Sequence, residues 1–161
     1  MKYVVLYYSR TGRTRKIAQL IRMKLKADIE EIKDHQKRKG ILGFINSGNE
    51  AYLKKRIPIE KPQKDLLKYD CVIIGTPVWA GSVSSPVRSF MLQYKDQFKK
   101  VAFFCTRLGS DSKSIFNVME QVSLQRPKAV LSVSARDIRL QSHIKAIDRF
   151  IRTLKEKEGE K

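Results

Sequence analysis

The run Ser9-Arg10-Thr11-Gly12-Arg13-Thr14 sets three hydroxyls around a single glycine, directly after a short apolar segment. Such a loop, opening a helix, suits a phosphate. Backbone N–H groups at a helix start point outward unpaired, the helix dipole favours an anion, and hydroxyls add further donors. The lysine of GxxxxGK(S/T) is missing, which argues against a nucleoside triphosphate. GxGxxG is missing too, which argues against a dinucleotide pyrophosphate lying across this turn. A single monophosphate fits best. The same residues would also serve as an ordinary Ser/Thr-rich turn that caps its helix.

Two further segments bear on chemistry. Gly75-Thr76-Pro77-Val78-Trp79-Ala80-Gly81-Ser82-Val83-Ser84-Ser85-Pro86 reads as a long loop and holds the only tryptophan of the chain. Trp79 can stack a flat aromatic ligand while Gly81 lets the backbone approach its edge; alternatively it covers apolar surface. Thr106-Arg107-Leu108-Gly109-Ser110-Asp111 can form a third wall. A phosphate at one end and a planar ring at the other describe FMN. His35, in a basic stretch, and His143, near the last helix, read as surface residues.

The elements that must position these residues alternate. Tyr3-Val4-Val5-Leu6-Tyr7-Tyr8 is an unbroken apolar run, as in a strand covered on both faces. Ile17, Leu20, Ile21 and Leu25 then mark one helix face. Residues 28–32 form a weaker strand candidate, and Cys71-Val72-Ile73-Ile74 a clear one. Val87, Phe90, Met91 and Tyr94 give a second helix, with Pro86 suited to its first turn. Val101-Ala102-Phe103-Phe104-Cys105 precedes a helix facing inward through Ile115, Val118, Met119 and Val122. Residues 129–133 precede one carrying Ile144, Ile147, Ile151 and Leu154. This alternation predicts an α/β fold, a doubly wound five-stranded parallel sheet of order 2-1-3-4-5 with helices on both faces. In that order the winding reverses between strands 1 and 3, and ligands bind beyond the carboxyl ends of strands at such a point. The two main clusters of chemistry follow those two strands.

Residues 1–161 read as a single domain, with residues 33–64 a variable segment between strands 2 and 3. That segment holds Ile41-Leu42-Gly43-Phe44-Ile45 and Ala51-Tyr52-Leu53, with a helix expected over part of it and a subunit contact through Leu42, Phe44 and Tyr52. No apolar run approaches the ~20 residues of a membrane-spanning helix, and only six apolar residues follow Met1-Lys2, so a cytoplasmic protein is expected. Cys71 and Cys105 form no CxxC pair and read as small buried hydrophobes. The net charge of +18 concentrates anionic ligands and favours acidic partners. Its cations are scattered, however, and nucleic acid is not the expected partner.

The chain resembles the flavodoxin family. Tyr8-Ser9-Arg10-Thr11-Gly12-Arg13-Thr14 matches the family's (S/T)-x-T-G-x-T phosphate loop after the first strand. Gly75-Thr76-Pro77-Val78-Trp79-Ala80-Gly81, followed by Ser85-Pro86-Val87, looks like the ring-binding loop of its archaeal and bacterial members. The segment from Gly40-Ile41-Leu42-Gly43-Phe44 through Glu50-Ala51 is also similar to that branch. The resemblance implies that Ser9, Arg10, Thr11, Gly12, Arg13 and Thr14 hold the FMN phosphate. It implies that Thr76, Pro77, Val78, Trp79, Ala80 and Gly81 border the ring, with Thr106, Arg107, Leu108 and Gly109 on its other side. In related carriers a backbone flip accompanies reduction, and Ala80-Gly81 is the matching segment. Arg10, Arg13 and Arg15 crowd the loop where the family is usually uncharged. They read as extra anion affinity or as a means of recruiting a phosphorylated second substrate.

A flavin brings its own redox chemistry, so no catalytic acid, base or metal is expected. The resemblance implies electron transfer to a redox partner protein, which the charge suggests is acidic. An NAD(P)H-dependent FMN or quinone reductase is the alternative, and a basic binding module for nucleic acid or acidic proteins a third. A positive field favours the electron-rich form of a flavin. A midpoint potential above that of acidic flavodoxins is therefore expected, set mainly by Arg10, Arg13 and Arg107. Other users of this topology do not fit. A response regulator needs an acidic cluster after strand 1 and an aspartate ending strand 3, where Arg10 and Gly75-Thr76 stand. A low-molecular-weight tyrosine phosphatase needs a cysteine after strand 1, and none is there.

Overall fold

A computed structural model describes residues 1–34, 57–109 and 112–156. Strand β1 (Tyr3–Tyr7) leads into helix α1 (Arg13–Leu25), and β2 (Asp28–Glu31) follows. After a 3₁₀ turn at Leu66–Lys68 come β3 (Cys71–Trp79), β4 (Ser82–Val83) and α2 (Ser85–Tyr94), with a further 3₁₀ turn at Lys95–Gln97. The chain continues through β5 (Val101–Arg107), α3 (Lys113–Ser123), β6 (Val130–Ser134), α4 (Ala135–Arg139) and α5 (His143–Glu156). The parallel strands are ordered β2-β1-β3-β5-β6, which is the expected 2-1-3-4-5 arrangement. A sixth strand, β4, pairs antiparallel with the end of β3 and was not foreseen.

Each central strand is apolar throughout because it feeds two cores at once. Leu6, Val72, Ile74, Phe103 and Cys105 pack beneath α2 and α3, with Phe90, Met91, Ile115 and Met119. Val5, Tyr7, Ile73, Phe104 and Val133 face the other way, toward α1 and α5 with Ile17, Ile21, Ile147 and Phe150. Alternation survives in which core a residue enters, not in its polarity. Both thiols are buried in these layers as expected; burial pushes Cys71 up to about 12 and Cys105 up to about 11.

Strand β3 runs beyond Ile74 and absorbs most of the segment read as a loop. Gly75 is required within it, since a Cβ there would lie 1.9 Å from the Phe104 ring. Pro77 is tolerated for a different reason. Residues 71 and 75 direct their backbone groups toward β1, so Pro77 shares that side, where β1 has already ended at Tyr7. Trp79-Ala80-Gly81-Ser82 then closes a two-residue hairpin, with Ala80 at φ 45° and Gly81 at φ 71°. Two successive positive φ angles suit the twist of a tight hairpin. An alanine in this conformation is strained by ~1–2 kcal/mol.

The carboxyl end of β6 differs from the expected single helix. Ser134 and Asp137 form a reciprocal cap that starts the short α4. A turn at Gln141, φ 56°, then folds the chain into α5. This brings His143 indoors: it is only 3% exposed, with Nδ1 3.2 Å from the Asp137 carbonyl oxygen. The expected surface histidine is therefore a buried one at the joint of two helices. His35, the apolar patches at 41–45 and 51–53, and Ser110-Asp111 lie outside the described residues.

Candidate functional site

The site lies beyond the carboxyl ends of β1, β3 and β5, where the sheet order reverses. Its first wall is the β1–α1 loop. Gly12 takes φ 87° as the residue before α1, a left-handed conformation open to glycine. The Ser9 hydroxyl oxygen accepts from the N–H groups of Gly12 at 3.1 Å and Arg15 at 3.2 Å. Ser9 thus caps the helix from three residues upstream. The N–H groups of Arg13 and Thr14, in the first turn of α1, precede the intrahelical bonding pattern and have no partner among the described residues. With the O–H groups of Ser9 and Thr11 they form a donor set that fits a phosphate monoester.

The second and third walls come from the strand ends. The cleft is lined by Arg10, Thr11, Arg13 and Thr14 from the loop, by Pro77, Val78 and Trp79 from β3, and by Thr106, Arg107 and Leu108 from β5 and its exit. Every one of these belongs to the set proposed from sequence. Thr14 Oγ1 lies 2.8 Å from Thr106 Oγ1, and this buried bond ties the start of α1 to β5. Arg107 is held at the rim by its Nε–H, which donates to Ser132 Oγ at 2.9 Å. Tyr8 and Trp79 meet edge to face, ring centroids 5.5 Å apart and planes at 89°, and the Arg10 guanidinium sits 5.9 Å from the Trp79 centroid. Trp79 is 6% exposed, so it both covers apolar core and borders the cleft.

The remaining proposed residues take other places. Thr76 is fully buried beneath the cleft; its Oγ1 accepts from Ser84 N–H at 3.1 Å and lies 3.0 Å from Ser84 Oγ, fastening the start of α2 to β3. Ser9 and Gly12 shape the loop, Ala80 and Gly81 make the exposed hairpin tip, and Gly109 is exposed beyond Leu108. Of the three loop arginines, Arg15 turns away. Its Nη2 donates to both Glu31 carboxylate oxygens, at 2.8 and 2.9 Å, and those bonds hold its guanidinium firmly charged. The same pair stands beside Tyr7, whose hydroxyl is raised chiefly by burial. Arg10 and Arg13 remain on the cleft. Sequence reasoning missed Ser132, which carries no motif and reaches Arg107 only because β6 lies beside β5.

A second hollow between β2 and residues 60–63 lacks this chemistry. Its carboxylate Glu30 is already used, accepting from the N–H groups of Gln63 at 2.7 Å and Lys64 at 2.9 Å. Among the described residues no cluster of His, Cys, Asp or Glu is arranged to hold a metal, and no helix is long and apolar enough to cross a membrane.

Comparison with known proteins agrees with this geometry. The family model described as Flavodoxin matches residues 2–138. A flavoprotein from Lactobacillus acidophilus NCFM, solved in complex with FMN, is 25% identical, with 88% of this chain and 97% of that one covered at a TM-score of 0.69. A flavodoxin from the domain Archaea is 14% identical over 97% of this chain and 98% of its own, with a TM-score of 0.57. Rubredoxin oxygen:oxidoreductase from Desulfovibrio gigas is also 14% identical; 98% of this chain covers 37% of that one, at a TM-score of 0.59. The last two show the fold alone. No curated protein sequence matches the chain.

Proposed function

This chain belongs to the flavodoxin family, and from that premise we propose that it binds FMN in the cleft and serves electron transfer. The observation that carries the reading is the cleft itself, which brings the start of α1 together with the β3 and β5 strand ends. Bound FMN supplies the exchange of electrons; the protein supplies binding, orientation and electrostatics.

The Arg13 and Thr14 N–H groups, with the Ser9 and Thr11 hydroxyls, hold the phosphate, and Gly12 lets the loop turn around it. Arg10 and Arg13 add positive charge that an uncharged loop would lack. Pro77, Val78 and Trp79 flank the ring on one side, and Thr106, Arg107 and Leu108 on the other. The strained Ala80-Gly81 tip is the segment we assign to a change of backbone conformation with redox state, since strain lowers the cost of leaving one of two conformations. Two buried thiols accord with a cytoplasmic, reducing compartment.

The test is the visible absorption spectrum of the purified protein, with FMN added to a colourless sample and anaerobic NADPH added afterwards. Flavin bands near roughly 370 and 450 nm are expected, since the bound cofactor carries the chromophore. Slow or absent bleaching by NADPH alone supports a carrier, whereas rapid bleaching without a partner makes the protein a reductase. Failure to take up FMN overturns the reading.

A further inference from the structure

Among the described helices, positive charge is not spread evenly. Helices α1 and α5 lie together on one face of the sheet, joined across their surfaces by Lys24 Nζ and Asp148 Oδ1 at 2.7 Å. Their solvent side carries Lys16, Arg22 and Lys26 and, beside them, Lys145, Arg149 and Arg152, all exposed and none in an ion pair with another described residue. Helix α1 contains no carboxylate at all. The two helices on the opposite side carry little charge among the described residues: α2 has Arg88 as its one charged residue, and α3 has Lys113 and Glu120. Like charges packed as closely as those of α1 and α5 repel, a cost relieved when an anionic surface covers them.

We propose that the α1–α5 face is the docking surface for an acidic partner protein. The inference rests on the electron-transfer reading in one respect: α1 begins at the cleft, so a partner seated along this face reaches the cofactor's end of the molecule. Other polyanions fit less well. The face has no exposed aromatic side chain on which bases could stack, so single-stranded nucleic acid lacks its usual platform. The two helices pack side by side on the sheet, so neither projects as a lone helix into a duplex groove. The exposed large apolar residues on α1, α4 and α5 and in their connections are Met23 and Leu140, too few to anchor in a bilayer. What remains is a broad field that selects a partner by complementary carboxylates and speeds its approach.

The experiment uses the FMN-loaded full chain, with poly-L-glutamate as the acidic probe and a DNA duplex and phosphatidylserine vesicles as competitors. Binding is measured at about 0.1 M salt, where charges beyond roughly 10 Å are screened. Arg149→Glu with Arg152→Glu reverses two charges on the face, and Lys99→Glu with Lys100→Glu makes the same change beside Asp70, away from it. The face variant should weaken poly-L-glutamate binding about tenfold and the distant one less than about threefold, as expected for local rather than net charge. Lys16→Glu with Lys145→Glu provides a second face variant should the first fold poorly. Equal losses in face and distant variants overturn the proposal, and so does tighter binding of the duplex or the vesicles than of poly-L-glutamate. The flavin spectrum, recorded on every variant, keeps this result separate from the cofactor reading. Wild-type protein that takes up no FMN defeats the latter and leaves the face to be judged on binding alone.

Discussion

At the scale of single residues, the bond between Thr14 and Thr106 shows how the loop is fixed to the sheet. Both side chains are buried, 2% and 5% exposed, and their oxygens are 2.8 Å apart. Replacing either by valine keeps the shape and leaves the other hydroxyl buried without its partner, a loss of about 1–3 kcal/mol. Replacing both removes two polar groups at once and can be nearly neutral. Thr14→Val, Thr106→Val and the double variant, compared by urea denaturation without added flavin, should therefore be non-additive, the double variant costing about 1–2 kcal/mol less than the sum. Simple additivity would mean that the bond does not fasten the loop. The sequence marked these threonines as candidates because each follows an apolar strand run. It could not show that they bond each other, since that depends on α1 leaning across to β5, 92 residues on. Ser132 was invisible for the same reason: its role exists only in the pairing of neighbouring strands.

At the scale of elements, periodicity fared best where burial dictates it and worst where local hydrogen bonds do. The central strands and long helices were legible because each must hide an apolar face. The β3–β4 hairpin was not, because Ala80-Gly81 lacks the asparagine or aspartate that announces such a turn, and Pro77 argued against a strand until β1 was seen to end below it. Helix α4 was missed because none of its residues is buried and its start is a capping box. Ser134 Oγ accepts from Asp137 N–H at 3.1 Å, and Asp137 Oδ2 accepts from Ser134 N–H at 2.7 Å. Ser134→Ala should cost about 1 kcal/mol in chemical denaturation. The cap also carries a pH signature. The Ser134 hydroxyl, then its N–H, holds the Asp137 carboxyl below its ordinary value, so the folded chain binds that proton less tightly than the unfolded chain does. The cap's contribution is thus complete above about pH 4, the ordinary carboxylate range, and is lost as pH falls through the lowered native value. Asp137→Asn should flatten that part of the acid limb in a stability–pH profile. An unchanged limb would show that other carboxylates, such as Asp28 held low by the Tyr69 hydroxyl, carry it alone.

At the scale of the whole molecule, the field of +18 charges acts on the cleft as well as on partners. Three arginines were expected to crowd the phosphate loop, and the structure redistributes them: Arg15 is neutralised by Glu31, while Arg10, Arg13 and Arg107 line the cleft. Among the described residues that line the cleft there is no carboxylate. Electrons added to a flavin there meet a positive field, so the two-electron midpoint potential should lie above that of acidic flavodoxins. A charge about 8 Å from the ring, at an effective dielectric constant of about 20–40, contributes about 1–2 kcal/mol, or about 20–40 mV for a two-electron couple. Arg107→Gln should lower the potential by up to about this amount, and by less at high salt. Arg149→Gln, on the outer face of α5, should leave it nearly unchanged because solvent screens it. Reductive titration at two ionic strengths decides the matter. Equal shifts from the two variants would mean that net charge alone sets the potential. A wild-type potential as low as that of acidic flavodoxins would mean that the hydrogen bonds of the hairpin and the strand ends govern the flavin, with the arginines serving only to hold its phosphate.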